Sequence, residues 1–432
     1  MSLAYQDRSF MPSEVASLET LPPEILLPII TNLTGLDTLW NLLRASPRIW
    51  RVFDDHAYPI VEAILSGPDA ILPLGIAELV RALILVRSKV LPFKDLKEFE
   101  VRFLRMRMYH PISNMSPKQA IKHSMTISPE LLSTTATSVT VLRSVVATAY
   151  QISALSQACL ASYLDRLRDP SFRPLHCYDP ELRYSGNYGP DKIRIRAWDR
   201  VFVGTPVEVI DVEQPSWVEE MRAVRALWII QLVGEMKRQK DNLGWSTKDV
   251  EEFSRKSPAD LDARREEVRS LIHYLATLAE ARQDAYYRLP QPPPSARWIT
   301  AQPNKGELYL KLSHPPRPDH RRILHQQPDH GRWGRTAESL SMEACGMPVF
   351  QDLTRGGGPS RNSPIIGVKY DLFRPFGLAF WDRWRMHHLG LVRGMFDYNA
   401  ILPAFYLFAW ESILSPDEVE KIKNELREND KS

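Results

Sequence analysis

The chain has 432 residues, which is enough for two or three domains at ~100–200 residues each. Hydrophobic residues make up 44% and charged residues 25%, the balance of an ordinary globular protein with a sizeable core. The formal net charge of +3 is small for this length and does not favour a nucleic-acid-binding protein. The cysteines, Cys159, Cys177 and Cys345, are few and far apart, so we expect no disulfide framework and a reducing compartment.

Membrane and export signals are not predicted. The first residues, MSLAYQDRSF, lack the apolar run of a signal peptide. The most apolar stretches, 79–86 and 400–410, fall short of the roughly 20 residues that cross a bilayer. The sequence therefore favours a cytoplasmic or nuclear protein without membrane contact.

Residues 18–66 predict three short helices after a disordered N-terminus of residues 1–17. The first helix opens at Leu21-Pro22, where proline is tolerated, and the second covers about 37–45. The third starts at Ser46-Pro47, because a serine hydroxyl can accept a hydrogen bond from a free N–H while proline suits the first helical position. Similar Ser-Pro starts recur at Ser257 and Ser415, and Ser415 with Glu418 fits a capping box.

Apolar residues cover an unusually wide arc of the first predicted helix. A surface helix needs only about a 100°-wide stripe to face its core. Three short helices bury little surface and are marginal alone. The surplus apolar surface of the first helix predicts either a partner protein on this surface or packing against the helices that follow. The residue pattern alone leaves both interpretations open.

The order of the elements in this segment resembles the F-box. The segment reads LETLPPEILLPIITNLTGLDTLWNLLRASPRIWRVF. The matching elements are, in chain order, Leu21-Pro22, Glu24, Ile25-Leu26, Ile29, Leu33, Leu39, Leu42, Leu43, Ala45-Ser46-Pro47, Trp50 and Phe53. One departure is Pro28, which removes a hydrogen bond inside the first helix and favours a kink there.

The resemblance implies that residues 18–66 form an F-box domain that docks on the Skp adaptor of a cullin–RING ubiquitin ligase, while the rest of the chain recruits an unknown protein target. The residues that it implies as adaptor-facing are Leu21, Pro22, Ile25, Leu26, Ile29, Leu33, Leu39, Leu42, Ser46, Pro47 and Trp50. Two alternatives remain, a Skp-bound scaffold outside any ligase and an enzyme in the C-terminal region.

The remainder of the chain predicts an all-α fold. Residues 67–170 form one helical region and residues 171–432 another, with a long Pro- and Gly-rich irregular segment at about 289–375. Periodicity predicts helices at about 77–90, 93–108, 137–168, 216–240, 258–283, 380–397 and 403–428, with one short hairpin at 192–203. The stretch 215–232 resembles the helical C-terminal region of fungal F-box proteins.

Groups of residues that could bind a metal, a nucleic acid or a phosphate give only weak signals in this sequence. His314, His320, His325 and His330 have irregular spacing and no accompanying cysteine, so no metal site is predicted. Arginines interleaved with Trp333 could contact single-stranded nucleic acid or an acidic target segment, but a solvated loop is the preferred interpretation. Gly356-Gly357-Gly358 lacks the lysine of a phosphate loop. We expect no catalytic residue, no cofactor and no enzyme activity.

Overall fold

The structure is a computed structural model. It describes residues 18–67, 70–105, 125–133, 137–169, 172, 175–176, 205–206, 215, 217–261, 265–278, 289, 369–381, 385, 389 and 410–431. Helices account for 77% of this part, which confirms the all-α fold class. The described strands are β1 (Leu175–His176) and β2 (Thr205–Pro206), which pair antiparallel. No helix among these residues is both long and apolar enough to cross a bilayer.

The chain divides into two compact units. The first contains the described residues as far as Ile71 together with residues 137–150, and the second contains the other described residues. Residues 137–150 thus group with the N-terminal helices, although the sequence assigned them to a separate helical region.

The first unit is built from three N-terminal helices and the beginning of a fourth. These are α1 (Pro23–Thr31), α2 (Leu36–Ala45), α3 (Pro47–Ser66) and residues 139–150 of the long helix Val139–Arg168. Within α3, His56 has φ −133° and ψ 28°, which kinks the helix one turn before Pro59. A proline clashes with the carbonyl one turn earlier and lacks the N–H for a helical hydrogen bond, which accounts for the kink.

The second unit contains the remaining helices. The α-helices are α4 (Leu74–Arg87), α5 (Pro129–Ser133), residues 151–168 of α6 (Val139–Arg168), α7 (Trp217–Arg238), α8 (Thr247–Arg255), α9 (Pro258–Leu261), α10 (Arg265–Thr277) and α11 (Pro416–Lys431). A π-helix spans Glu98–Arg105, and 3-10 helices span Lys240–Asn242, Tyr370–Phe376 and Trp410–Ile413.

Helix α7 lies at the centre of the second unit and packs against α4 and α10. Residues 219–236 of this helix are buried on every face, and they include apolar residues such as Trp228 and Leu232 as well as charged ones. A helix that is buried all round must also pair its charges, since an unpaired buried charge is strongly unfavourable. Glu219 accordingly pairs with Arg385 at 2.8 Å.

Local signals placed most helix starts correctly. The Ser46 hydroxyl accepts from the Ile49 N–H at 3.1 Å, and the Ser415 hydroxyl accepts from the Glu418 N–H at 3.3 Å.

Four predicted helices differ from the structure. The range predicted as one helix at 403–428 contains the 3-10 helix Trp410–Ile413 and then α11, which begins only at Pro416. Residues 380 and 381, the start of the helix predicted at 380–397, are not helical, and most of the rest of that range lies outside the described residues. Residues 98–105 form a π-helix within the range predicted as α-helix, and the helix predicted at 258–283 is divided between α9 and α10.

Several predictions fall outside the described residues. They concern the disordered N-terminus, the hairpin at 192–203, the histidine and arginine loop, the triple glycine, Cys177 and Cys345, and most of the irregular segment.

Candidate docking site

Helix α1 presents two different apolar faces. Leu26 and Ile30 are 0% exposed and pack inside the first unit, where α1 contacts α3. Ile25 and Ile29 are 50% and 43% exposed, although both are large aliphatic residues. At about 100° per residue, these two pairs lie on separate sides of the helix. The structure therefore divides the wide apolar arc into a buried side and a side open to solvent.

The open side forms a continuous strip, which we name the α1 stripe. Its members are all exposed and are Pro22, Ile25, Pro28 and Ile29. Leu21 and Leu33 are half-buried at its two ends. An exposed apolar strip on one helix is unfavourable in water and is typical of a surface that a partner covers.

Three residues that the resemblance assigned to the adaptor surface lie in the interior instead. Leu26 and Leu39 are 0% exposed and Ser46 is 4% exposed. Their side chains fill the space among α1, α2 and α3, so they cannot face a partner while the unit is folded. Of the other residues assigned, Leu42 and Trp50 are half-buried and Pro47 is exposed.

Ser46 has a structural role. Its hydroxyl caps α3 by accepting from the Ile49 N–H, and it donates a hydrogen bond to the carboxylate of Glu19. The hydrogen bond to Glu19 connects the segment before α1 to the junction between α2 and α3. A capping hydroxyl at a helix start stabilises by about 1 kcal/mol.

Helix α1 continues through Pro28 and ends three residues later. The Pro28 carbonyl accepts from the backbone N–H of Asn32 at 3.2 Å and from its side-chain amide at 2.8 Å. The Thr31 hydroxyl donates to the Leu27 carbonyl at 2.9 Å. These bonds satisfy carbonyls in the last turn, so the helix and its stripe persist despite the proline.

Trp50 is held by side chains from two other helices. Its ring centroid lies 6.4 Å from that of Trp40 on α2. The Arg143 guanidinium, from α6, lies 5.0 Å from the same centroid, and its Nε lies 3.0 Å from the Asp54 carboxylate. Sequence reasoning missed Arg143, because no local pattern links this position to the N-terminal helices.

A groove of about 500 Å³ opens between the end of α1 and the second half of α3. The residues that line it are Thr31, Asn32, Tyr58, Pro59, Glu62, Ala63, Ser66 and Gly67. Most of these residues are small or polar, and Glu62 is the charged one. This groove is separate from the α1 stripe, since none of the stripe residues line it.

Among the described residues, neither a metal-binding cluster nor an exposed cysteine is found. These residues contain no group of three or more His, Cys, Asp or Glu side chains arranged to hold a metal ion. Cys159 is 0% exposed, and its burial raises the pKa of the thiol well above the usual range. A raised thiol pKa keeps the sulfur protonated at neutral pH, where a nucleophile would need to be a thiolate.

We therefore expect Cys159 to resist alkylation in the folded chain. Iodoacetamide at pH 8 should leave the Cys159 peptide unmodified over a period that labels it fully in guanidinium. Peptide-resolved mass spectrometry separates Cys159 from Cys177 and Cys345. Equal labelling of Cys159 with and without denaturant would contradict its burial.

Comparison with protein-family models, with curated proteins and with solved structures finds no match to this chain.

Proposed function

We propose that this chain is a substrate-recruiting F-box subunit of a Skp–cullin–F-box ubiquitin ligase. The α1 stripe docks on the Skp adaptor, and the second unit recruits a protein target. The observation that carries the proposal is the exposure of Ile25 and Ile29 on a helix whose adjacent side, formed by Leu26 and Ile30, is fully buried. The F-box resemblance assigns these same two residues, with Pro22, to the adaptor surface.

The mechanism is proximity and needs no chemistry from this chain. Holding a target and a charged ubiquitin carrier in one assembly raises the effective concentration of each near the other. This role places the chain in the cytoplasm or the nucleus, where ubiquitin ligases of this class act.

The apolar side chains of the α1 stripe suit such docking. Burying a Val, Leu, Ile, Phe or Met side chain completely contributes about 1.5–3 kcal/mol. Two half-exposed isoleucines therefore offer part of that energy each, and a few well-packed residues near the centre of an interface carry most of the binding. A carboxylate placed there is buried without a counter-charge on binding, which is strongly unfavourable.

The test is a double substitution, Ile25→Asp with Ile29→Asp, in the full chain. We expect the affinity for purified Skp adaptor to fall about 100-fold or more by isothermal titration calorimetry. Both residues are exposed, so the unfolding midpoint should change little. Leu26 is left intact because removing a fully buried leucine costs about 2–5 kcal/mol of stability and would confound the result.

The matched control is Leu74→Asp with Val90→Asp in the second unit. These residues are 48% and 41% exposed, close to Ile25 and Ile29, so the added charge and lost apolar area are equivalent. The control should keep the wild-type affinity. Equal affinity of wild type and the Ile25/Ile29 variant, or no adaptor binding by wild type, contradicts the proposal.

A third measurement separates the ligase from a scaffold. The wild-type chain bound to adaptor is passed over immobilised cullin. Retention of the chain–adaptor complex supports a ligase subunit, whereas elution of the intact complex without retention supports a scaffold paired only with Skp.

A further inference from the structure

We propose that Arg143, which lies in α6 and far from the F-box-like segment in sequence, is a positioning residue of the adaptor-docking surface. It acts by fixing the indole of Trp50. This inference rests on the proposed docking to the Skp adaptor, and it adds a residue that the resemblance does not include.

Arg143 spans one face of α3. Its guanidinium carbon lies 5.0 Å from the centre of the Trp50 ring, and its Nε lies 3.0 Å from Asp54 Oδ1, one helical turn further along α3. The Nε and Oδ1 atoms meet the distance of an ion pair but not the geometry of a hydrogen bond. Arg143 therefore interacts by stacking with Trp50 and by charge with Asp54, and these two residues are four positions apart on α3.

Trp50 contacts a second aromatic ring as well as this guanidinium. Trp40 lies 6.4 Å from Trp50 at an interplanar angle of 51°, so a side chain of α2 also restrains the indole. Trp50 as a whole is half-buried. The exposed remainder is therefore available to a partner, while the ring itself is held in one orientation.

Fixing a tryptophan before binding strengthens docking. An interface side chain that is already ordered loses less conformational entropy when the partner binds. Tryptophan is also one of the residues that most often carry binding energy. Among described residues, Trp50 is the partly exposed tryptophan that the resemblance assigns to the adaptor surface, so its orientation has a direct effect there.

The position of Arg143 favours an effect on docking over an effect on folding. The side chains of Arg143 and Asp54 are 31% and 33% exposed. Ion pairs with this degree of exposure contribute little to stability, because water and salt screen them. Arginine also stacks on an aromatic face through its planar guanidinium, which lysine cannot reproduce.

The experiment measures adaptor affinity of the full chain as wild type, Arg143→Ala, Arg143→Lys, Trp50→Ala and the double variant Arg143→Ala with Trp50→Ala. We expect Arg143→Ala to weaken binding roughly 5- to 20-fold. Arg143→Lys should fall between wild type and Arg143→Ala. The double variant should bind no more weakly than Trp50→Ala, because Arg143 acts through the indole.

Arg102→Ala serves as the matched control. Arg102 is an exposed arginine of the second unit with an ion-pair partner, Glu98, at 2.8 Å, so its removal changes the net charge equally. Its affinity for the adaptor should equal that of wild type. Thermal unfolding of each variant is followed in parallel.

Three outcomes overturn the inference. The first is an unchanged affinity for Arg143→Ala, including the case in which only the unfolding midpoint falls. The second is a double variant in which the two losses multiply, because independent effects exclude action through Trp50. The third is the absence of adaptor binding by wild type, which defeats the proposed function as well. If the Ile25/Ile29 variant loses binding while Arg143→Ala does not, the proposed function stands and this inference alone fails.

Discussion

Replacing Gly377 with alanine should destabilise the second unit by about 2–4 kcal/mol. Gly377 follows the 3-10 helix Tyr370–Phe376 with φ +67°, a left-handed conformation that is unfavourable for any residue with a Cβ. A Cβ at this position would lie 2.6 Å from Tyr163 Cδ2 and 2.9 Å from Trp381 Cζ2. Both distances are too short, so the substitution adds a steric clash to the backbone strain.

The two rings that meet this Cβ cannot move away freely. The Tyr163 hydroxyl donates to the Ser270 carbonyl at 2.8 Å, and the Tyr163 ring stacks on Phe380 at 5.9 Å. The indole N–H of Trp381 donates to the Phe376 carbonyl at 2.6 Å. Relief of the clash would therefore break a buried hydrogen bond, which leaves a polar group unsatisfied.

Gly244→Ala is the matched control for this effect. Gly244 also has φ +67°, but a Cβ there would have no atom within 4 Å. Gly244→Ala should lower the free energy of unfolding by only about 1 kcal/mol, because the strain of the left-handed conformation is partly offset by the lower entropy of the unfolded chain. Urea unfolding followed by tryptophan fluorescence gives both values. Equal losses for the two variants would show that the close packing at Gly377 has no energetic effect.

The sequence predicted those features of the fold that depend on near neighbours. The caps at Ser46 and Ser415 each involve a hydroxyl and an N–H three residues apart, so the local order of residues is sufficient to place them. The long periodic helices α4 and α6 were likewise predicted within a few residues of their observed bounds. The all-α fold class follows from these helices and is confirmed.

The candidate site could be predicted only in part, because burial depends on distant residues. Periodicity gave α1 a wide apolar arc without showing that Leu26 is buried and Ile25 exposed. That distinction arises from packing against α3, which no local pattern encodes. Arg143 reaches Trp50 from a helix far downstream, and a single basic residue in a helix carries no signal of such a contact.

The buried charges of α7, in the second unit, likewise could not be predicted from the local sequence. Periodicity predicted a helix here, but it did not show that the charged residues Glu219 and Arg222 are buried. Their partners come from other elements. Glu219 pairs with Arg385, and the Arg222 guanidinium donates to the Phe380 carbonyl. Pairing of this kind becomes visible only when the fold brings the partners together.

Removing the carboxylate of Glu219 should be among the most damaging changes to the second unit. The Glu219 side chain is 0% exposed, and Arg385 is 8% exposed. Arg385 donates from Nε to Glu219 Oε1 at 2.8 Å and from Nη2 to Oε2 at 2.8 Å, a two-point arrangement that fixes both groups. Glu219→Ala leaves the guanidinium buried without this counter-charge, which costs about 3–5 kcal/mol.

The double variant Glu219→Met with Arg385→Met separates the lost attraction from the penalty of an uncompensated charge. It removes both charges and keeps apolar volume at both positions, so it should be clearly less destabilising than Glu219→Ala alone. Arg385 also lies over the Trp381 ring, with 5.0 Å between the guanidinium carbon and the ring centroid, and methionine sulfur retains a favourable contact with an aromatic ring. Denaturant midpoints of the two variants give the comparison. The single variants Glu219→Met and Arg385→Met close the cycle. A double variant as unstable as the sum of these two single variants would mean that the two side chains contribute independently, contrary to the geometry that joins them.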